Sequence, residues 1–406
     1  MSPKQSKHRR GCHGDAAGAP RVAGRRSATL LAATLAVALA AGACGGAPDT
    51  ATGAAAGSGR GSLAGVCPET VVVQTNWFPQ SEHGAAYRLV GPGYRVDAAH
   101  KRVIGPLVAG GKDTGVRIEV RAGGPAVGFQ SSAALMYQDP DITLGMLQTD
   151  EIVQFSKTQP VVGVMAPLEL DPQILLWDPR AHPEWHTIAD IGQTNAQVLY
   201  FQGSAYMEYL VGAGILRRAQ VDGRYDGSPS RFVASGGRIA VQGYATNEPY
   251  LYEHEIKAWG KPVAFQLVVD TGYPNYANVL SVRADQKAKL APCLKRLVPM
   301  LQQAQVEFMR DPSPTLELIV KLDHAYKGGF VYSPGLARFA VTQMRQLGIV
   351  DNGHDATLGN FDSQRVQRLI NILAPIFAGQ RKPIRPNLAP GDVTTNEFID
   401  PAISLR

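Results

Sequence analysis

The chain has 406 residues, with 40 Lys and Arg against 34 Asp and Glu and a formal net charge of +6. Seven of the basic residues (Lys4, Lys7, Arg9, Arg10, Arg21, Arg25, Arg26) and one acid, Asp15, lie in the first 26, which leaves 33 of each sign in the rest. The body is thus formally neutral; short clusters such as Arg217-Arg218 and Arg381-Lys382 are too small for the basic patch that nucleic-acid binding needs.

Residues 27–43 carry no charge, and the small residues Ala41-Gly42-Ala43 lead into Cys44. A basic start, a short apolar run and small residues before a cleavage point describe an export signal over 1–43. A Cys in that place suggests lipidation at Cys44, holding an exported protein at the outer face of the cytoplasmic membrane. Ala41 stands where such signals usually have Leu, so an ordinary secretory cleavage or a single N-terminal helix is the alternative, and Arg25-Arg26 leaves the general and twin-arginine routes both open. Residues 44–65 are mostly Gly, Ala, Ser and Thr, with only Asp49 and Arg60 charged, a flexible tether reaching on the order of 25 Å. The body, 66–406, exceeds what one core usually supports, so two domains are expected. Cys12 leaves with the signal, and the remaining pair, Cys67 and Cys293, is expected to be bridged in an exported protein, two separate buried thiols being the alternative.

In chain order, 70–75 is a Val-rich strand, 116–120 alternates as a second, and 142–146 follows the turn Asp139-Pro140-Asp141 as a third, with 126–138 helical between. Residues 161–165, 174–177, 197–200 and 263–270 read as further strands, and Ser204 as the N-cap of a helix over 205–213. Apolar residues at helical spacing mark helices at 290–309 (Leu294, Leu297, Leu301) and 363–377 (Val366, Leu369, Ile370, Leu373). This alternation predicts α/β layers with largely parallel sheets.

Catalytic signatures are absent from the sequence: no Gly-x-Ser-x-Gly elbow, no His-Glu-x-x-His zinc helix, no phosphate loop. His182 and His186 are separated by Pro183 and do not read as metal ligands, and neither metal nor cofactor is expected. Two polar and aromatic clusters stand out. Asn76-Trp77-Phe78-Pro79-Gln80-Ser81-Glu82-His83-Gly84 comes after the first strand, where an open α/β sheet places its ligand; Trp77 offers a flat face, or else plugs the domain edge. In Tyr244-Ala245-Thr246-Asn247-Glu248-Pro249-Tyr250, Pro249 favours an extended Glu248 and a carboxylate presented in a loop. Gln148 and Thr149 after the third strand, and Gly203 and Ser204 at a helix start, are lesser candidates.

At these residues the chain resembles the substrate-binding lipoproteins of ABC importers in the nitrate/sulfonate/taurine and thiamine-pyrimidine-precursor group. Asn76-Trp77-Phe78-Pro79 with Glu82-His83-Gly84, Thr246-Asn247-Glu248-Pro249, and the ending Thr394-Thr395-Asn396-Glu397-Phe398-Ile399-Asp400 carry the resemblance. It implies a two-lobed periplasmic-binding-protein-like fold of type II, two α/β domains joined by two crossover segments near 159–170 and 261–270, with a ligand cleft between. Lobe one would be 66–162 plus 266–406, with Cys67 and Cys293 together in it, and lobe two 163–265. The implied function is capture of a small planar or polar solute, without enzymatic chemistry, by a monomer that delivers it to a permease and its ATPase. Trp77 would stack; Tyr244, Asn247 and Glu248 would meet the ligand's polar edge; Gln148, Thr149, Gly203 and Ser204 would line the cleft; Glu82 or His83 would lie at its mouth. Residues 91–115 are longer and more polar than the family's link. An exported two-lobed sensor or interaction module, or a pyrimidine-precursor synthase-like enzyme, are the alternative readings.

Overall fold

The computed structural model describes residues 61–329 and 331–405; the export signal, Cys44 and most of the expected tether lie outside them. The last residues of that tether are already docked. Leu63 is buried, and its backbone N–H donates to the Thr114 carbonyl (2.8 Å). A single Leu in a Gly/Ala stretch finds an apolar seat, so the folded body begins before residue 66.

Two sheets organise the body. The first contains seven strands: β1 Thr70–Gln74, β2 Arg95–Asp97, β3 Arg102–Ala109, β4 Lys112–Arg121, β5 Ile142–Leu147, β6 Val161–Met165 and β12 Val279–Arg283, in the order β2-β3-β4-β1-β5-β12-β6. The second has five: β7 Gln173–Trp177, β8 Val198–Leu199, β9 Val221–Asp222, β10 Ala240–Tyr244 and β11 Ala264–Leu267, in the order β11-β7-β10-β8-β9. The chain passes from one sheet to the other in 166–172 and returns in 268–278.

Burial tracks position in the sheet. Central β5 is buried along its whole length, whereas β4, nearer the edge, alternates exposed and buried residues over its first half. That contrast is the one expected between a strand covered on both faces and one covered on a single face. The expectation of largely parallel sheets is only half met: β1 runs parallel to β4 and β5, but β12 is antiparallel to β5 and β6, and β7 is antiparallel to β10 and β11. Each crossover returns the chain in the opposite direction, which sequence periodicity does not encode. The polar stretch 91–115 forms the hairpins β2-β3-β4, which extend the sheet edge.

The helix Lys287–Arg310 presents Cys293, Leu294, Leu297, Val298, Leu301 and Phe308 to the core of the first lobe. Cys293 is disulfide-bonded to Cys67 with a Cα–Cα separation of 4.7 Å, which ties this helix to the residues just before β1. Phe308 also explains Gly84: a Cβ there would lie 2.4 Å from the Phe308 ring, so the Gly of the first cluster is a packing residue. The helices Ser313–Tyr326 and Pro334–Gln346 complete this layer, and Ser363–Gly379 packs against the helices Thr149–Phe155 and Ala205–Gly212.

Candidate functional site

Four segments meet between the two sheets: the loop after β1, the residue after β5, the end of β10 with the turn beyond it, and the returning crossover. The β1 loop is held in shape by Thr75, whose hydroxyl donates to the carbonyls of Trp77 (2.7 Å) and Arg121 (3.0 Å). Gly123 lies against this loop so closely that a Cβ would sit 2.1 Å from the Thr75 carbonyl oxygen.

Beyond Trp77 the chain turns inward. His83 is fully buried, and its Nε2 lies 2.9 Å from Asn76 Oδ1, while Asn76 Nδ2 donates to Asn278 Oδ1 (2.8 Å). Asn76 already uses its amide as a donor, so Nε2 carries the proton and Nδ1 is left as a buried acceptor without a partner. Burial pushes the His83 imidazole down to about 3, so it stays neutral. Glu82 is equally buried, and its Oε1 crosses to the other lobe, where it accepts from the Thr246 hydroxyl and from Asn247 Nδ2 (3.3 Å). Its Oε2 has no partner. Burial raises the Glu82 carboxyl above the usual range, against the lowering pull of Thr246 and Asn247. Glu82 and His83 therefore belong to the interior, not to the cleft mouth that the resemblance implied. The short helical turn Ser81–His83 continues directly into Gly84–Arg88 and carries both side chains inward.

A second bond between the lobes comes from Gln148, whose Nε2 donates to the Tyr244 hydroxyl (2.9 Å) while its Oε1 accepts from the Asn278 N–H (2.8 Å). Thr149 does not line a cleft; its buried hydroxyl donates to Asn275 Oδ1 (2.6 Å) in the returning crossover. Asn275 in turn donates to Asp171 Oδ2 (2.8 Å) in the outgoing one, so a single amide side chain joins both crossovers to the first lobe. Beside it, Tyr273 donates to Asp150 Oδ2 (2.8 Å), and burial, with Glu151 next, pushes the Asp150 carboxyl up to about 7.

Glu248 departs from the extended conformation expected of it. It opens the short helix Glu248–Tyr250, in whose first turn Pro249 is well suited because its missing N–H would have no helical partner there. The Glu248 carboxylate folds back onto β10, where Oε2 accepts from the Tyr244 N–H (2.5 Å). Burial pushes it up to about 7, against the lowering hydrogen bond from Tyr244, and the Glu82 charge adds to the rise. Neither Glu82 nor Glu248 has a Lys or Arg among its hydrogen bonds or charge partners.

Trp77 meets Phe129 (ring centroids 5.9 Å) from its own lobe and Phe201 (6.1 Å) from the other; Phe129 and Phe201 are 6.0 Å apart, and Phe201 packs on Tyr225 at 4.9 Å. Gly124, at φ +58, makes room for the Trp77 ring, since a Cβ would come within 2.5 Å of it. Phe129 is 59 % exposed. Gly203 and Ser204 lie beside Phe201 in a turn, and Ser204 occupies the N-cap position of the helix Ala205–Gly212 as expected, but its side chain makes no capping bond. Its hydroxyl donates to the Phe201 carbonyl (2.8 Å), a local bond that competes with capping.

The structure thus brings Trp77, Glu82, Gln148, Tyr244, Asn247 and Glu248 to the interlobe region and assigns Thr149 to the crossover network. Sequence reasoning missed Thr246, Asn278, Asn275, Phe129, Phe201 and Tyr225. Thr246 lay inside a motif already singled out, and the paired asparagines of Asn275-Tyr276-Ala277-Asn278 were a legible signal; Phe201 follows Tyr200 just before Gly203-Ser204, whereas Phe129 and Tyr225 are isolated in sequence and had no signal. No helix among the described residues is long and apolar enough to cross a membrane.

No family model matches the chain, and no curated protein does. Among solved structures, the periplasmic aliphatic sulphonate binding protein of Escherichia coli is similar with a TM-score of 0.54 and 13% identity, covering 83% of this chain and 94% of that one. A protein of Bordetella bronchiseptica RB50 is similar at 0.52 and 11% identity, covering 82% and 96%. These likenesses are of fold: the chain has the two-lobed type II architecture of periplasmic binding proteins.

Proposed function

We propose that this protein is an extracytoplasmic solute receptor of an ABC importer, which captures a small planar or polar ligand between its lobes and delivers it to a permease and its ATPase. The observation that carries the reading is the pair of side-chain links between the lobes, Glu82 to Thr246 and Asn247, and Gln148 to Tyr244. Contacts of this kind exist only when the lobes are together, so they contribute a free energy difference between open and closed states that a ligand spanning the same gap can bias. The reading treats the chain as a binding protein rather than an enzyme, acting as a monomer. Lipidation at Cys44 would hold it on the outer face of the cytoplasmic membrane, with the glycine- and alanine-rich tether giving it reach. In this reading the lobes are those expected, 66–162 with 266–406 and 163–265, with their bounds moved to the crossovers 166–172 and 268–278, because β6 belongs to the first sheet and β11 to the second; the hinge lies around Asn275 and Asp171. The ligand would be of the thiamine-pyrimidine-precursor or the sulfonate and nitrate type, with Trp77 as its aromatic wall and Asn247 and Glu248 as polar partners.

The test is solution scattering of the full chain with calorimetry against aminopyrimidines, sulfonates and nitrate. A bound ligand that reduces the radius of gyration, and whose binding is weakened in Trp77→Ala and Glu248→Ala, supports the reading. Failure of every solute to bind or to compact the protein would count against the receptor function.

A further inference from the structure

Three buried atoms around the Glu82 link have no partner: Glu82 Oε2, Asn247 Oδ1 and His83 Nδ1. Glu82, His83 and Asn247 are respectively 1%, 0% and 5% exposed. The Asn247 amide is oriented by its donation to Glu82, which leaves its oxygen as the unmatched atom, and the Asn76 contact leaves His83 Nδ1 as an acceptor. With Glu82 ionised, all three unmatched atoms accept hydrogen bonds. A buried acceptor without a donor is destabilising, so a ligand rich in donors is the one that would relieve this region.

The charge around it has the same sense. Glu82 and Glu248 are held by one short segment, Tyr244 to Glu248. His83 is kept neutral by burial, and burial pushes Tyr225, Tyr244, Tyr252 and Tyr332, which face the two carboxylates, above the usual phenol range, so they too are neutral. Among the described residues, no cationic side chain offsets either carboxylate. An oxyanion entering here would meet the buried Glu82 carboxyl and the half-buried Glu248 carboxyl, with no Lys or Arg among the described residues to neutralise them. The aromatic rings of Trp77, Phe129, Phe201 and Tyr225, drawn from both lobes, offer faces that attract a cation.

We infer that the interlobe site takes an organic cation, an amidinium, guanidinium or ammonium group on a compact apolar body, with Glu82 and Glu248 as its anionic partners and the four aromatic rings as its walls. The inference rests on the receptor reading and narrows it to a ligand class opposite in charge to a sulfonate. The cation's N–H groups meet Glu82 Oε2 and Asn247 Oδ1, its charge holds both carboxylates ionised, and its apolar body separates the rings.

A series with one phenyl body and different head groups tests this: benzamidine, benzamide and benzenesulfonate, titrated calorimetrically into the full chain at pH 7.5 and into the Glu82→Gln and Glu248→Gln variants. Benzamidine is expected to bind, benzamide to bind weaker by about tenfold or more, and benzenesulfonate not to bind; each Gln variant is expected to lose about tenfold or more for benzamidine. Cooperative thermal unfolding of both variants establishes that they fold. Benzamidine binding equally well to both folded variants, benzenesulfonate binding as tightly as benzamidine, or no binding by any member of the series would each overturn the inference. Benzenesulfonate binding that compacts the protein would leave the receptor reading intact, whereas that reading fails separately if no solute of any class compacts it.

Discussion

Replacing Glu248 with Gln should stabilise the empty protein at alkaline pH. Burial shifts this carboxyl from its ordinary value of 4.5 to about 7, so the folded state binds its proton more tightly than the unfolded state does. Below pH 4.5 both states are protonated and Glu248 costs nothing. Between 4.5 and 7 the unfolded chain ionises first, and stability falls as pH rises; above 7 the loss is complete. The displacement corresponds to about 3 kcal/mol. Gln keeps the oxygen that accepts from the Tyr244 N–H and cannot ionise, so it escapes that cost. Urea unfolding of the full chain, monitored by tryptophan fluorescence at pH 4.5, 6, 7 and 8, should give coincident curves for wild type and variant at the lowest pH. They should then separate progressively in favour of the variant. Asp150, also pushed up to about 7, together with Glu151 and Asp171, which burial raises as well, contributes the same trend to both proteins, so the difference between them reports Glu248 together with its repulsion from Glu82. Curves that stay together up to pH 8, or a variant less stable there, would refute the argument that this carboxylate is held in a site unfavourable to its charge.

Removing the disulfide by Cys67→Ala with Cys293→Ala should cost up to about 5 kcal/mol, because the bridge closes a loop of 226 residues; an unchanged thermal midpoint would show that the bridge contributes nothing. Gly123→Ala would force a methyl group 2.1 Å from the Thr75 carbonyl and should destabilise by about 1–3 kcal/mol, read as a lowered urea midpoint. A midpoint equal to wild type would contradict the close approach of these two loops.

How much of the site was legible depended on whether its parts were contiguous. The two motifs around Trp77 to Gly84 and Tyr244 to Tyr250 were conspicuous because polar and aromatic residues cluster there. Their conformations were not. Pro249 suggested an extended Glu248 and yet sits in a helical first turn, since the same fixed φ suits both. Glu82 and His83 suggested a solvent-facing mouth, but a helical turn carries them inward, where asparagines and Thr246 from distant parts of the chain meet their polar groups.

Local composition by itself determined β1, β4 to β8 and β11 and the helices Lys287–Arg310 and Ser363–Gly379, because continuous Val-rich runs and 3.6-residue apolar spacing are imposed by burial close to each residue; the central strands β10 and β12 and the helices Ser313–Tyr326 and Pro334–Gln346 did not stand out. It could not determine strand direction, the edge hairpins of 91–115, or the meeting of Trp77 with Phe201 and of Glu82 with Thr246, residues more than 120 positions apart. Those were decided by the two crossovers, which bring the ends of separate sheets together and leave Glu82 buried and Glu248 half-buried with no Lys or Arg among the described residues to balance them.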